Sequence, residues 1–308
     1  MSVASASATD ATDAREKAVP GGPGQSHPPR RPAGERPGGQ PGRRAALGAY
    51  GALFATNLRD QLAYVGEWAM RGVFLAMILF VFLQLWQATY AGQGATTLGG
   101  FTLPQMLWYL AFTESIILSR PAVNRLVDAE VRTGDIAYTL LRPYAYGGYR
   151  LVAYLAERLL RFTTLIVLGA ALALLYVGPV ALRPGDVLLA LAVLFLASLL
   201  DFLGAFGIGL LAFWTEDTSS IGLIYDRLVM LLGGMLLPLE LFPEPLGSVA
   251  RALPFSTLIY APARLAFGAD PGAVWPLLGQ LALFLATGAA VVGLLYRRAF
   301  RRIALNGG

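Results

Sequence analysis

Long apolar runs without charge set the first pattern along the chain. Gly72 to Tyr90, Phe162 to Ala181 and Val274 to Tyr296 contain no ionisable side chain except tyrosine, and Val187 to Trp214 contains only Asp201. A run of about 20 apolar residues, rising 1.5 Å per residue, crosses about 30 Å of hydrocarbon. Each run therefore predicts a transmembrane helix. Two shorter apolar stretches add a second and a fifth span: 105–119, opened by Pro104 and carrying Glu114, and a stretch at 219–237 carrying Asp226 and Arg227. Proline is tolerated in a first helical turn. The predicted spans are thus 72–90, 105–119, 162–181, 187–214, 219–237 and 274–296.

Other stretches follow different rules. From Leu47 to Trp68, the residues Leu47, Tyr50, Phe54, Leu58, Leu62, Val65 and Trp68 recur at steps of three or four, with Arg59, Asp60 and Glu67 off the stripe. This spacing predicts an amphipathic helix. It either lies along the cytoplasmic membrane surface or packs against another part of the chain. Residues 120–161 hold seven arginines and four acids and read as two helical stretches, Val123 to Leu141 and Tyr149 to Arg161, parted by Arg142-Pro143 and Gly147-Gly148. Residues 238–268 are too apolar for a solvated loop and too broken for a span, with Pro238, Pro243, Pro254 and Pro262 among the interruptions. Irregular backbone at membrane depth is tolerated only when buried in protein or lining a cavity. The segment is expected either as an outer re-entrant hairpin or as a surface loop with short interfacial helices.

Composition supports a bilayer environment. Hydrophobic residues make up 56% of the 308 and charged residues only 14%, against roughly 45–50% and 25% in soluble domains. Residues 1–44, rich in Pro, Gly and Arg, cannot bury enough apolar surface to offset chain entropy and are expected to form a disordered cytoplasmic tail. The arginines of that tail are candidates for contact with anionic lipid or a partner. No secretory signal is expected, because no apolar run precedes the first span. Basic residues concentrate in the tail, in 120–161 and at Arg297, Arg298, Arg301 and Arg302 just before the C-terminal end 303–308, which places both termini in the cytoplasm of a multi-pass cell (inner) membrane protein.

The same composition excludes several chemistries. There is no cysteine, one histidine (His27) and one lysine (Lys17), both in the tail. A phosphate loop needs a lysine at its phosphates, so no ATP-hydrolysing site of that kind is present. Thiolate metal sites and disulfides are absent for want of cysteine, and no cofactor is implied. Tyr225-Asp226 matches half of an intramembrane aspartyl protease signature, but the second half, G-x-G-D on a following span, is missing. The ionisable residues at membrane depth, Glu114, Asp201, Asp226 and Arg227, either pair structurally or line a transport path.

Two stretches carry a resemblance to a known family. Pro238 to Gly268 resembles the outer re-entrant segment before the last span of ABC type 2 exporter membrane subunits, in its order of Pro, Leu-Phe-Pro, Leu-Pro-Phe, Tyr-x-Pro and Gly. Thr133 to Tyr144, T-G-D-I-A-Y-T-L-L-R-P-Y, is similar to the G-D-x-x-x-x-L-L-R-P segment of the branch known as uncharacterised transport-system permeases. The resemblance runs from the helix near Leu47 to the C-terminus. It implies a permease subunit of an exporter, not itself an enzyme, that works with a second permease subunit and cytoplasmic ATP-binding-cassette ATPase subunits and takes no nucleic acid. It further implies ATPase coupling through Glu130, Arg132, Gly134, Asp135, Leu141, Arg142 and Pro143. Arg142 would offer its donor fork to the ATPase, or else snorkel to lipid phosphate. From a different class, the residues also allow a secondary transporter with Asp201 or Glu114 as its proton site, or a membrane scaffold that transports nothing.

The expected fold class is all-α integral membrane, with six transmembrane helices, an N-terminal amphipathic interfacial helix and an outer re-entrant hairpin before the last span.

Overall fold

A computed structural model describes residues 43–62, 65–140, 145–267 and 271–306. Most of the expected tail therefore lies outside the described residues, as do Leu141, Arg142, Pro143 and Gly268. The described residues form twelve α-helices: α1 (Arg43–Leu62), α2 (Val65–Gln93), α3 (Leu103–Leu118), α4 (Val123–Thr133), α5 (Ile136–Leu140), α6 (Tyr146–Val177), α7 (Pro184–Leu210), α8 (Ser219–Leu232), α9 (Glu244–Ala252), α10 (Pro254–Leu258), α11 (Tyr260–Ala266) and α12 (Pro271–Asn306). No strand occurs among the described residues.

Local chemistry sets the boundaries. Thr102 caps α3 through a capping box: the Gln105 N–H donates to Thr102 Oγ1 (3.4 Å) and the Thr102 N–H to Gln105 Oε1 (2.9 Å), with Pro104 in the first turn. α4 stops at Gly134, whose φ of 79° is left-handed and whose N–H bonds the Val131 carbonyl. Only glycine adopts that conformation without steric cost. α8 ends at Gly233, followed by Gly234 at φ 69°.

Four helices are long and apolar enough to cross a membrane: Ala69–Gln93, Tyr146–Val177, Pro184–Phe213 and Val274–Arg301. Their outer faces carry exposed Phe74, Met77, Leu175, Leu188, Trp275 and Val291, a distribution that suits hydrocarbon and would be a liability in water. The chain is a multi-pass membrane protein. α3 and α8 are shorter; α3 nearly coincides with the predicted 105–119 and α8 covers the first part of 219–237, to Leu232.

Several boundaries differ from those expected. The stripe from Leu47 to Trp68 is split between α1 and α2 at 62–65, and α1 over its whole length has no net polar and apolar sides. α1 packs along α6. The first helical stretch of 120–161 breaks at Gly134 into α4 and α5, and the second is continuous with the third span in α6. Gly147 and Gly148 sit in the first turn of α6, where a helix tolerates them. α12 runs through Asn306, so the C-terminal end is largely helical.

α3 lies in the core, with Met106, Tyr109, Leu110 and Ile116 fully enclosed by α2, α6 and α11. Tyr109 donates to the Gly234 carbonyl (2.5 Å) and Thr113 to the Met235 carbonyl (2.9 Å), which ties α3 to the break after α8. The stretch 238–267 folds into a short 3₁₀ turn and α9 to α11. Pro238 precedes the turn, Pro243 precedes α9, Pro254 opens α10 and Pro262 lies in the first turn of α11. Ile259, Ala261, Ala263 and Leu265 are buried, and α11 packs on α7 and α3.

Candidate functional site

Asp201 stands in the second half of α7, nine residues before its end, and is 1% exposed. A carboxylate so placed requires hydrogen-bond donors at both oxygens. Arg120, just after α3, supplies its Nε (3.1 and 3.0 Å) and NH2 (2.7 Å). From α6 come the Tyr154 hydroxyl (2.7 Å) and Arg158 NH1 (3.1 Å). The Tyr225 hydroxyl of α8 donates to the other oxygen (3.0 Å). Arg120 turns its NH1 to Asp226 of α8 (3.0 Å), and its guanidinium lies 5.4 Å from the centre of the Tyr225 ring. Four elements thus meet on one carboxylate. Two acids face two arginines, so the cluster is neutral as a unit. Burial works against the Arg120 charge, but the adjoining Asp201 carboxylate outweighs it and raises the guanidinium above even its ordinary high range.

Close backbone contact makes this meeting possible. A Cβ on Gly204 would stand 2.6 Å from the Tyr225 hydroxyl oxygen, so α7 needs a glycine one turn from Asp201. Five residues farther on, a Cβ on Gly209 would meet the Val127 Cβ at 2.7 Å and the Asn124 carbonyl at 3.0 Å, so the glycine lets α4 seat directly on α7.

α4 is fastened at three more points. Thr218, the residue before α8, donates its hydroxyl (2.8 Å) and backbone N–H (3.2 Å) to Asp128. Arg132 reaches Asp128 (3.4 Å) and Asp217 (3.7 Å). Hydrogen bonds from the Ser219 hydroxyl and N–H hold the exposed Asp217 below the usual carboxylate range. Glu130 accepts from the Tyr146 hydroxyl (2.6 Å) and from Arg150, both of α6. α4 is therefore a strut between the start of α6 and the start of α8. Beyond it, Thr133 donates to Asp135 (2.8 Å), and Tyr138 of α5 is 74% exposed.

This arrangement of a charged strut bound to spanning helices can be compared with known proteins. The profile of the ABC-2 family transporter proteins matches residues 73–307. The chain belongs to the ABC-2 transporter family. No curated protein matches it as a relative. As an ABC-2 membrane component it is a part of a transporter and not an enzyme by itself.

The permease brings together two of the four intramembrane candidates named from sequence, Asp201 and Asp226. It leaves the other two apart. Glu114 of α3 is 1% exposed, and its Oε1 has no hydrogen-bond partner among the described residues. Arg227 faces outward, its NH1 3.7 Å from the Met230 sulfur. Of the coupling candidates, Glu130 and Arg132 lie on α4, Gly134 at its end and Asp135 just after. Leu141, Arg142 and Pro143 fall outside the described residues. In the sequence Arg120 and Arg158 are two of the seven arginines of 120–161, and nothing there singles out Tyr154. Tyr154 and Arg158 stand one turn apart on one helix face, a local signal that was available; their shared partner 43 residues on from Arg158 was not.

Proposed function

We propose that this chain is the membrane-spanning permease subunit of an ABC-type exporter, forming a substrate path with a second permease subunit and driven by a separate cytoplasmic ATPase. The observation that carries the reading is the strut α4. An ion pair through Glu130 reaches α6 and hydrogen bonds to Asp128 reach the start of α8, while Arg132 near its end and Asp135 and Tyr138 beyond it are exposed. In this reading a push on that end is passed to two helices at once.

In this reading α3 and α8 complete six spans, both termini lie in the cytoplasm of the cell membrane, and the short helices of 238–267 form the outer re-entrant segment. By the resemblance, Leu141, Arg142 and Pro143 belong to the same coupling segment of the chain. The family membership supports the permease role, and the absence of a phosphate-loop lysine supports a separate ATPase. Asp201 suits a structural tie better than a proton carrier, since two guanidinium groups and two hydroxyls occupy it.

The test is co-purification with a co-expressed ATP-binding-cassette ATPase subunit, using Asp135→Lys and Arg142→Glu. Loss of association or of coupled ATP turnover is expected, with thermal stability of the permease retained. Unchanged association and turnover in both variants would remove the docking surface from α4–α5. A scaffold would show no effect of the permease on ATPase turnover at all.

A further inference from the structure

A cleft follows the seam where α7 and α12 pack. Its floor takes a residue at every third or fourth position from Leu200 of α7 to Leu211 just past its end, and from Phe284 to Leu295 on α12. The two helices run the same way there, with Gly288 against Leu200 and Leu203, and Gly207 against Val292. α8 and α10 wall the cleft through Tyr225, Phe255 and Leu258, and the space enclosed is about 410 Å³. Tyr225 and Thr287 are the polar side chains of the lining, and both are engaged. The Tyr225 hydroxyl donates to Asp201 (3.0 Å) and the Thr287 hydroxyl to the Leu283 carbonyl (2.9 Å). The cleft offers no free donor to a ligand and suits hydrocarbon.

Its two ends differ. Gln280 donates to the Arg251 carbonyl (2.7 Å), which ties α12 to the end of α9 one turn before Phe284, so Phe255 and Leu258 of α10 close the cleft on that side. At the other end the uncharged run of α12 stops at Tyr296, and the exposed Arg297, Arg298 and Arg301 that follow mark the level of lipid headgroups. Arg298 lies three residues beyond Leu295 and seven beyond Val291, on the face of α12 that lines the cleft. No ion pair to Arg298 occurs among the described residues. From Phe284 to Leu295 is about 16 Å at 1.5 Å per residue, the depth of one leaflet of a hydrocarbon core about 30 Å thick. Val291 at the rim is 56% exposed on a membrane-spanning helix, so the side of the cleft opens to lipid.

We propose that this cleft holds one acyl chain of a resident anionic phospholipid from the leaflet bordering Arg298, with the lipid phosphate on that guanidinium. The slot matches the chain in length and lining, and the arginine at its open end matches the anion. The lipid is resident because α10 makes the slot blind: a chain that enters beside Arg298 has no path onward. A neighbouring helix does not fit, since one about 10 Å across and 16 Å long displaces about 1,250 Å³. The proposal needs only the membrane-spanning character of the chain and not its part in export.

The test is native mass spectrometry of the full-length chain released from nanodiscs of palmitoyl-oleoyl phosphatidylglycerol and phosphatidylcholine in equal amounts. Wild type should retain one lipid per chain and favour phosphatidylglycerol about fivefold, the scale of one arginine at a lipid surface. Arg298→Gln should keep the lipid and lose most of the preference. Val291→Trp, which fills the slot from its lipid-facing rim, should lose the lipid of either kind. Leu283→Trp, 60% exposed on the same helix but outside the cleft, should retain it.

No retained lipid in wild type, equal retention of the two headgroups, a preference that survives Arg298→Gln, or retention unchanged in Val291→Trp overturns the proposal. A lipid-free wild-type dimer that dissociates in Val291→Trp identifies the cleft as a subunit contact and overturns it equally. A second arm adds a co-expressed ATP-binding-cassette ATPase subunit and chases the retained lipid with deuterated phosphatidylglycerol. Exchange should proceed at the same rate with and without ATP. Exchange driven by ATP turnover identifies the lipid as cargo and overturns the resident assignment. The first arm contains no ATPase, so its failure leaves the permease reading intact.

Discussion

Asp201 concentrates the energetics of the protein in one side chain. Removing one partner of a buried ion pair leaves an uncompensated charge, which typically costs about 3–5 kcal/mol. Asp201→Asn strands Arg158, whereas Arg120 keeps Asp226 at 3.0 Å. Thermal unfolding of the purified chain is expected to show a loss of that size. Adding Arg158→Met to Asp201→Asn should restore part of it, because the stranded guanidinium is then gone. An unchanged midpoint for Asp201→Asn would refute the tie. Tyr109→Phe is a milder case: it deletes only the donor to the Gly234 carbonyl. A loss of about 1–2 kcal/mol is expected, since the carbonyl left behind is buried and unsatisfied. Glu114 differs from both, for no partner compensates its buried Oε1. Glu114→Gln should therefore be neutral or stabilising in the same assay, and a large destabilisation would mean that the carboxylate is ionised and paired.

Among the elements, the joint between α4 and its neighbours bears most directly on coupling. Gly209→Leu places a side chain where even a Cβ would be 2.7 Å from Val127, so α4 must lift off α7. Overpacking of this kind typically costs about 1–3 kcal/mol. The larger expected effect is on coupling: stimulation of the partner ATPase should fall severalfold while the spanning helices remain folded by circular dichroism. Full stimulation in Gly209→Leu would show that the contact is dispensable. Gly134→Ala asks the same question of the α4–α5 corner. Its φ of 79° disfavours any side chain, and a penalty of about 1 kcal/mol is expected there.

The whole molecule offers a direct topology test because it has no native cysteine. Single cysteines at Gln93, Asp135 and Ser248, all exposed, can be labelled with a membrane-impermeant maleimide in sealed cells. Gln93→Cys and Ser248→Cys should label from outside and Asp135→Cys only after permeabilisation. Labelling of Ser248→Cys from the inside alone would rule out the six-span arrangement and the outer position of 238–267.

The division between what could be read from the chain and what required its folding has a physical basis. Span length, apolar runs and glycine or proline punctuation are local properties. The sequence by itself therefore determined an all-helical membrane protein, four long spans near their observed positions and the Pro104 start of α3, but not the Gly134 corner, which it read as continuous helix. Its stock of side chains also determined that no phosphate loop or thiolate metal site could exist. Where local rules competed, they misplaced boundaries: a polar start did not separate Tyr149–Arg161 from the apolar run behind it, because helix continuity does not depend on polarity. Asp201 and Asp226 were legible as ionisable groups in apolar surroundings, but not as parts of one cluster. Their partners lie 81 and 106 residues away at Arg120, and which charge meets which depends on the packing of α3, α6, α7 and α8. Only the tertiary structure could decide that Asp201 is tied, that Glu114 is not, and that Arg227 faces outward, because each is a property of neighbours brought together by folding.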